Sequence, residues 1–153
     1  MHERMTMAQS AQDQSAPGDF KTCLGLINLS DLPFKERLLA RLASLEVAFA
    51  EDYDGGRLSA RSGSALVNFL QADRSFGYPD ITATPSGDLY AEWRGSNGCK
   101  FAIEFLNSGD ARFLLFAPNP KHPDRIDRLT GLTTSDALTQ TIAPLAHLAR
   151  LAA

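Results

Sequence analysis

The sequence predicts an α+β domain with two N-terminal helices, a four-stranded antiparallel β-meander and a C-terminal helix. Three observations predict it. Apolar residues recur at helical steps between positions 34 and 49. They alternate with polar residues at a period of two between positions 81 and 117, in short runs separated by turn residues. The helical step then returns after position 135, so helices flank a sheet that runs continuously in sequence.

The chain has 153 residues, enough for one domain with a core of its own. Residues 1–19 are polar, rich in Gln, Ser and Ala, and broken by Pro17-Gly18. Such a segment buries too little apolar area to offset the entropy of ordering, so it reads as a disordered tail, with residues 20–153 as the single folded domain. Phe20–Leu29 is apolar and reads as either a short strand or an extended lead-in, with Gly25 weakening both.

Ser30-Asp31-Leu32-Pro33 is a helix-start signal, because Ser and Asp side chains accept from orphan N–H groups and proline is tolerated in the first turn. Phe34, Leu38, Leu42, Leu45 and Phe49 then form one apolar face, with Lys35, Arg37, Arg41 and Glu46 opposite, until Gly55-Gly56 ends the helix. A second helix begins at Ser62 or Ser64 and runs to about Asp73, with Leu66, Val67, Phe69 and Leu70 as its stripe. Gly77-Tyr78-Pro79 forces an extended entry to the sheet.

The meander opens with a hairpin. Ile81–Thr84 is its first strand, Pro85-Ser86-Gly87-Asp88 its turn with Gly87 in the left-handed region, and Leu89–Trp93 its second strand. Arg94–Gly98 is the next turn, and Phe101, Ile103 and Phe105 mark a third strand. Asn107-Ser108-Gly109-Asp110 is the last turn, and Ala111–Ala117 the fourth strand. One face collects the apolar residues and must be covered. The other carries Tyr90, Glu92, Arg94, Glu104 and Arg112, with Glu92 and Glu104 read as facing each other across neighbouring strands and paired with the arginines. Ala117–Asp124 is a loop with three prolines, and Arg125–Leu132 reads as holding one helical turn. Leu138, Ile142, Leu145, Leu148 and Leu151 share a final helical face, which Pro144 kinks or splits.

Composition narrows the function classes. The net charge is −3 and the pI about 5.5, against general nucleic-acid binding. No apolar run reaches the roughly 18 residues that span a bilayer, and no signal-peptide core is present, so no membrane partner is expected. Cys23 and Cys99 stand far apart without a Cys-x-x-Cys spacing, which suits free thiols in a reducing cytoplasm. The three histidines lack i, i+3 or i, i+4 partners, and Asp52–Gly56 lacks the alternating oxygen ligands of a calcium loop. No phosphate loop, nucleophile elbow or paired cysteine ligands occur. No catalytic residue, metal or cofactor is therefore expected, and the balance falls toward a non-enzyme.

Two stretches carry a family resemblance. Tyr53-Asp54-Gly55 after an amphipathic helix, followed by a second helix and then PDITATPSGDLYAEW, resembles a widespread group of small uncharacterised bacterial proteins. That group shows an aromatic-Asp-Gly step, a Pro-x-[Ile/Val]-x-x-Thr-Pro-x-Gly-x-[Leu/Ile]-x-x-x-Trp hairpin, and further strands of apolar-Glu alternation, here KFAIEFLNSGD. The match spans about Leu38 to Phe116. This chain has Tyr53 where the group usually has Trp, and only part of its Gly-x-Ala-x-x-Pro continuation in Gly56–Ala60. The resemblance implies a toxin–antitoxin or defence-associated role and brings no catalytic residues with it.

The reading that follows is a cytoplasmic, non-enzymatic accessory protein, antitoxin-like, that binds another protein such as a toxin. Its candidate partner-binding residues are Tyr53, Asp54 and Arg57 in one loop, and Lys121, His122 and Arg125 in the other. Two alternatives are a small enzyme or ligand-binding domain built on the 118–125 loop, which requires Lys121, His122 and Arg125 to converge on a pocket, and a structural or assembly subunit, which an exposed sheet edge would favour.

Overall fold

A computed structural model describes residues 17–95 and 98–145. Three helices come first, α1 (Pro17–Leu29), α2 (Lys35–Asp52) and α3 (Ala60–Ala72). Five strands follow, β1 (Asp80–Ala83), β2 (Leu89–Arg94), β3 (Lys100–Phe105), β4 (Asp110–Pro118) and β5 (Ile126–Thr134). A short helix α4 (Leu138–Ile142) and a 3₁₀ turn (Ala143–Leu145) close the described chain. The sheet is an antiparallel meander in the order β1-β2-β3-β4-β5. The α+β class and the antiparallel sheet hold; the helix and strand counts do not.

The first correction is α1. Phe20, Cys23 and Ile27 are its buried positions, at steps of three and four. Leu26 and Leu29 lie exposed on the same helix and blur that stripe. Ser30 then ends α1 instead of capping α2: its hydroxyl donates to Ile27 O at 2.6 Å and accepts from Leu32 N–H. No side chain caps α2, whose N-terminal boundary is Phe34. Most of the 1–19 segment lies outside the described residues.

The second correction is β5. Arg125–Leu132 holds no helical turn, because the chain returns from the proline loop as a nine-residue strand along β4. The last described α-helix ends at Ile142. The α-helix gives way to a 3₁₀ turn at Pro144, and Leu148 and Leu151 lie outside the described residues.

Helices α1–α3 cover one sheet face. Ile81, Leu89, Ala91, Trp93, Phe101, Ile103, Phe105, Ala111, Phe113 and Leu115 point into this layer and are all buried. Each large side chain here is worth roughly 1.5–3 kcal/mol of burial. Phe69, Phe76, Trp93 and Phe101 stack at centroid distances of 5.0–5.9 Å, and Trp93 Nε1–H donates to Gly77 O at 2.8 Å. Helices α1 and α3 touch closely at Gly63, where a Cβ would lie 2.8 Å from Cys23 Sγ.

One polar group ties the layers together. Ser62, fully buried on α3, accepts from Leu89 N–H at 2.7 Å and donates to Phe105 O at 2.5 Å. Leu89 and Phe105 are the directly opposed residues at one end of the β2–β3 ladder. The helix is therefore bonded to both central strands at their shared end. Ser59 caps α3 by accepting from Ser62 N–H at 3.0 Å, and donates to Asn107 Oδ1 at 2.7 Å.

Ser62→Ala leaves a buried N–H and C=O without the bridging hydroxyl and should lower unfolding free energy by about 1–3 kcal/mol. Ser64→Ala, two residues further along the same helix, should stay within about 0.5 kcal/mol of wild type. Urea titrations of the two variants check this; equal stability of both would remove the bridging role.

Candidate functional site

The two sequence-predicted loops sit at opposite ends of the sheet. Tyr53 ends α2 with its ring 4.5 Å from Phe49. Asp54 follows in the left-handed region at φ 52°, with Gly55 at φ 82°. The chain then docks on the hairpin turn, where Ser59 N–H donates to Gly87 O at 2.8 Å and a Cβ at Gly87 would lie 2.9 Å from Arg57 O. The aromatic-Asp-Gly loop and the Pro-Ser-Gly turn thus touch one another, and Gly87, at φ 87°, belongs to that contact. Tyr53, Asp54 and Arg57 remain exposed at this end.

Lys121, His122 and Arg125 lie at the other end, in the β4–β5 turn, and all three are exposed. Asn119 organises this turn. Its Oδ1 accepts from Lys121 N–H and His122 N–H at 2.8 and 3.0 Å, and its Nδ2 donates to Asp127 Oδ2 at 2.9 Å. None of the three lines either of two surface clefts in the fold. A surface cleft of about 380 Å³ is lined instead by Arg37, Tyr78, Asp80, Glu92, Trp93 and Arg94, with the Arg37 guanidinium 4.1 Å from the Tyr78 ring centroid.

The outer sheet face is a set of ion pairs. Glu92 lies opposite Ala102, so it does not face Glu104, whose neighbours across the ladders are Tyr90 and Arg112. Arg112 pairs with Glu104 at 3.0 Å. Glu92 takes Arg94 from its own strand and Lys100 from β3, the latter at 3.2 Å. Burial pushes the Glu92 carboxyl up, but hydrogen bonds and charge from Arg94 and Lys100 outweigh it and hold the group below its ordinary 4.5. Asp88 goes the other way. Burial raises it above 3.8, against the hydrogen bond that its Oδ1 accepts from Asn107 N–H. Cys23 is pushed up to about 12 by burial, with the Glu46 charge adding to it, so this thiol stays protonated. Among the described residues no group of three or more His, Cys, Asp or Glu could hold a metal ion, and no helix is long and apolar enough to cross a membrane.

The two sheet edges differ sharply. β1 is four residues long, and its outward carbonyl at Ile81 is taken by Arg41 of α2, whose Nε and Nη2 donate at 2.9 and 2.8 Å. A charged side chain closing an edge carbonyl is a common way of blocking strand addition. Among the described residues β5 has no such cover. The bonds Ser135 N–H to Gly109 O and Asn119 N–H to Arg125 O bracket the β4–β5 ladder and fix its alternation. Odd-numbered β5 residues bond to β4, so Ile126, Arg128, Thr130 and Leu132 direct N–H and C=O outward. No described residue hydrogen-bonds to the outward N–H or C=O groups of those four residues.

The side chains of β5 are open as well. Ile126, Leu129 and Leu132 are 47%, 45% and 63% exposed. Leu129 points to the helix-covered face, opposite Leu115, but no helix among the described residues covers it. The Phe113 ring lies across Gly131, where a Cβ would be 2.3 Å from Phe113 Cζ, so bare backbone at 131 lets the core ring close. This edge was missed in the sequence because Ile126, Leu129 and Leu132 recur every third residue and imitate a helical face. The Thr-rich run Thr130 to Thr134 was the signal for strand. Comparisons with known protein families, with characterised proteins and with solved structures gave no significant match.

The opposite shifts of Glu92 and Asp88 give opposite pH signatures. Glu92 is depressed, so its contribution is present above 4.5 and is lost as pH falls through its folded value. Asp88 is raised, so its contribution is present below 3.8 and is lost as pH rises through its folded value. In urea titrations from about pH 7 to about pH 3, Glu92→Gln should flatten the fall of stability on acidification, and Asp88→Asn should steepen it. Unchanged pH profiles in both variants would contradict the assignment.

Proposed function

We propose that this chain is a non-enzymatic accessory protein that acts by binding another protein, and that the bound segment adds as a strand to the open edge of β5. The observation that carries this reading is the asymmetry of the sheet: β1 is four residues long with its Ile81 carbonyl taken by Arg41, while four of the nine β5 residues direct unpaired backbone outward beside three exposed apolar side chains. Main-chain bonding along such an edge supplies affinity, and alternate side chains supply selectivity. The acidic balance of the chain, net −3, fits a protein partner better than nucleic acid. The free, buried thiols of Cys23 and Cys99 fit a cytoplasmic setting.

The narrower form of the reading is antitoxin-like and rests on the hairpin resemblance and on the 1–16 segment preceding α1. An exposed sheet edge also favours an assembly subunit, which is the same chemistry applied to a repeated partner.

Thr130→Pro separates the edge from the fold. It removes an outward N–H without touching the β4–β5 bonds, a position where edge strands accept proline. Capture from the expressing cells with full-length wild type should retain a partner that Thr130→Pro loses at least about tenfold. Equal capture by both would overturn the edge as the binding surface. Rescue of a toxic neighbouring gene product by wild type but not by Thr130→Pro supports the antitoxin form, and failure of wild type to rescue removes it.

A further inference from the structure

We infer that one occupant of the β5 edge is a second copy of this chain, paired antiparallel about Leu129 to make a single continuous sheet. The inference rests on the strand-addition reading above and names its partner.

A two-fold axis normal to the sheet pairs residues whose numbers share parity, and it keeps each face on its own side. The outward groups belong to the even-numbered residues, so these must form the bonded pairs. Centring the axis on Leu129 satisfies both conditions. Arg128 then bonds with Thr130 of the second copy, and Ile126 with Leu132. Leu129 meets its own counterpart at a non-bonded position, where opposed Cα atoms come closest, about 4.5 Å.

This register matches every exposed apolar side chain of β5 with another. Ile126 and Leu132 lie three residues either side of Leu129, so each covers the other on the outer face while the two leucines at 129 cover each other on the inner face. Charges are not opposed, since Arg128 faces Thr130 and Asp127 faces Gly131. The neighbouring registers lack this match. An axis on Arg128 sets two guanidinium groups against each other. An axis on Asp127 opposes two carboxylates. An axis on Thr130 places Arg128 on Leu132 and leaves Leu129 against Gly131. Like charges directly opposite destabilise a strand pair, and apolar pairs favour it.

The bare inner face at Leu129 follows from the same arrangement. α4 packs near the C-terminal half of β5, where Thr133 Oγ1 and Thr141 Oγ1 lie 3.2 Å apart. Leu129 sits nearer the opposite end of the strand, outside that cover. In the pair, the second copy brings its own Leu129 to this place.

Sedimentation or light scattering of the full-length chain up to about 1 mM should show reversible association to twice the 16.6 kDa monomer. Leu129→Lys and Leu129→Glu, both at a half-exposed position that keeps the fold, should each be monomeric, with at least about a tenfold weaker association than wild type. Mixing the two should restore a one-to-one dimer, because residue 129 meets only itself across the axis. A wild-type chain that stays monomeric, single variants that still dimerise, or a mixture that fails to associate each overturn the second-copy assignment. The edge reading fails separately, only if Thr130→Pro leaves partner capture unchanged. Circular dichroism and thermal unfolding of each variant confirm that the monomers compared are folded.

Discussion

The Ser62 hydroxyl sets the position of the helical layer. It sits where α3 meets the shared end of β2 and β3, accepting from Leu89 N–H and donating to Phe105 O. A buried hydroxyl bonded on both sides is far more position-specific than apolar contact, because a slip in any direction leaves three polar groups without partners. Around it, Ser59, Asn107 and Asp88 extend the network to both turns at this end of the sheet. Gly63 is the next residue, and its missing side chain lets α1 come down on α3. One turn of helix thus anchors α3 to the sheet and α1 to α3.

That anchoring determines what is left uncovered. With the helices pinned over the central strands, β1 falls under α2 and within reach of Arg41, while β5 lies beyond the N-terminal helices. α4 is only five residues long and covers the C-terminal half of β5 alone. Had the strand been a liability, a lysine or proline along the outward positions would have been the simple remedy. Instead the outward residues are Ile126, Arg128, Thr130 and Leu132, one charge among four. The hairpin that marks the resemblance contributes at the other side of the molecule. Its turn docks on the Arg57–Ser59 segment and its strands supply core residues, so it organises the fold and not the open edge.

Legibility in the sequence tracked burial on one face. β2, β3 and β4 each bury alternate residues against helices, so Leu89, Ala91, Trp93 and their counterparts gave a period of two that could be read directly. α2 gave a helical period for the same reason, through Leu38, Leu42 and Phe49. α1 was obscured because exposed Leu26 and Leu29 interrupt the stripe of Phe20, Cys23 and Ile27. β5 was obscured because its first five residues are exposed on both faces, so nothing imposed alternation there, and its apolar residues at steps of three suggested a helix. The loop sites chosen from the sequence, Tyr53–Arg57 and Lys121–Arg125, were chosen for chemistry in a loop, and the fold keeps them at opposite ends. Strand addition is a property of backbone left unpaired by topology, and topology is not written in any short motif.

Amide hydrogen exchange along β5 reads out the open edge residue by residue. In dilute protein an open edge gives alternation: slow exchange at Asp127, Leu129, Gly131 and Thr133, which bond to β4, and fast exchange at Arg128, Thr130 and Leu132, which face outward. As the edge is occupied at higher concentration, the fast amides should become protected and the alternation should vanish. Outward amides already protected in the dilute monomer, or still fast at the highest concentration with and without partner, would contradict an open and functional β5 edge.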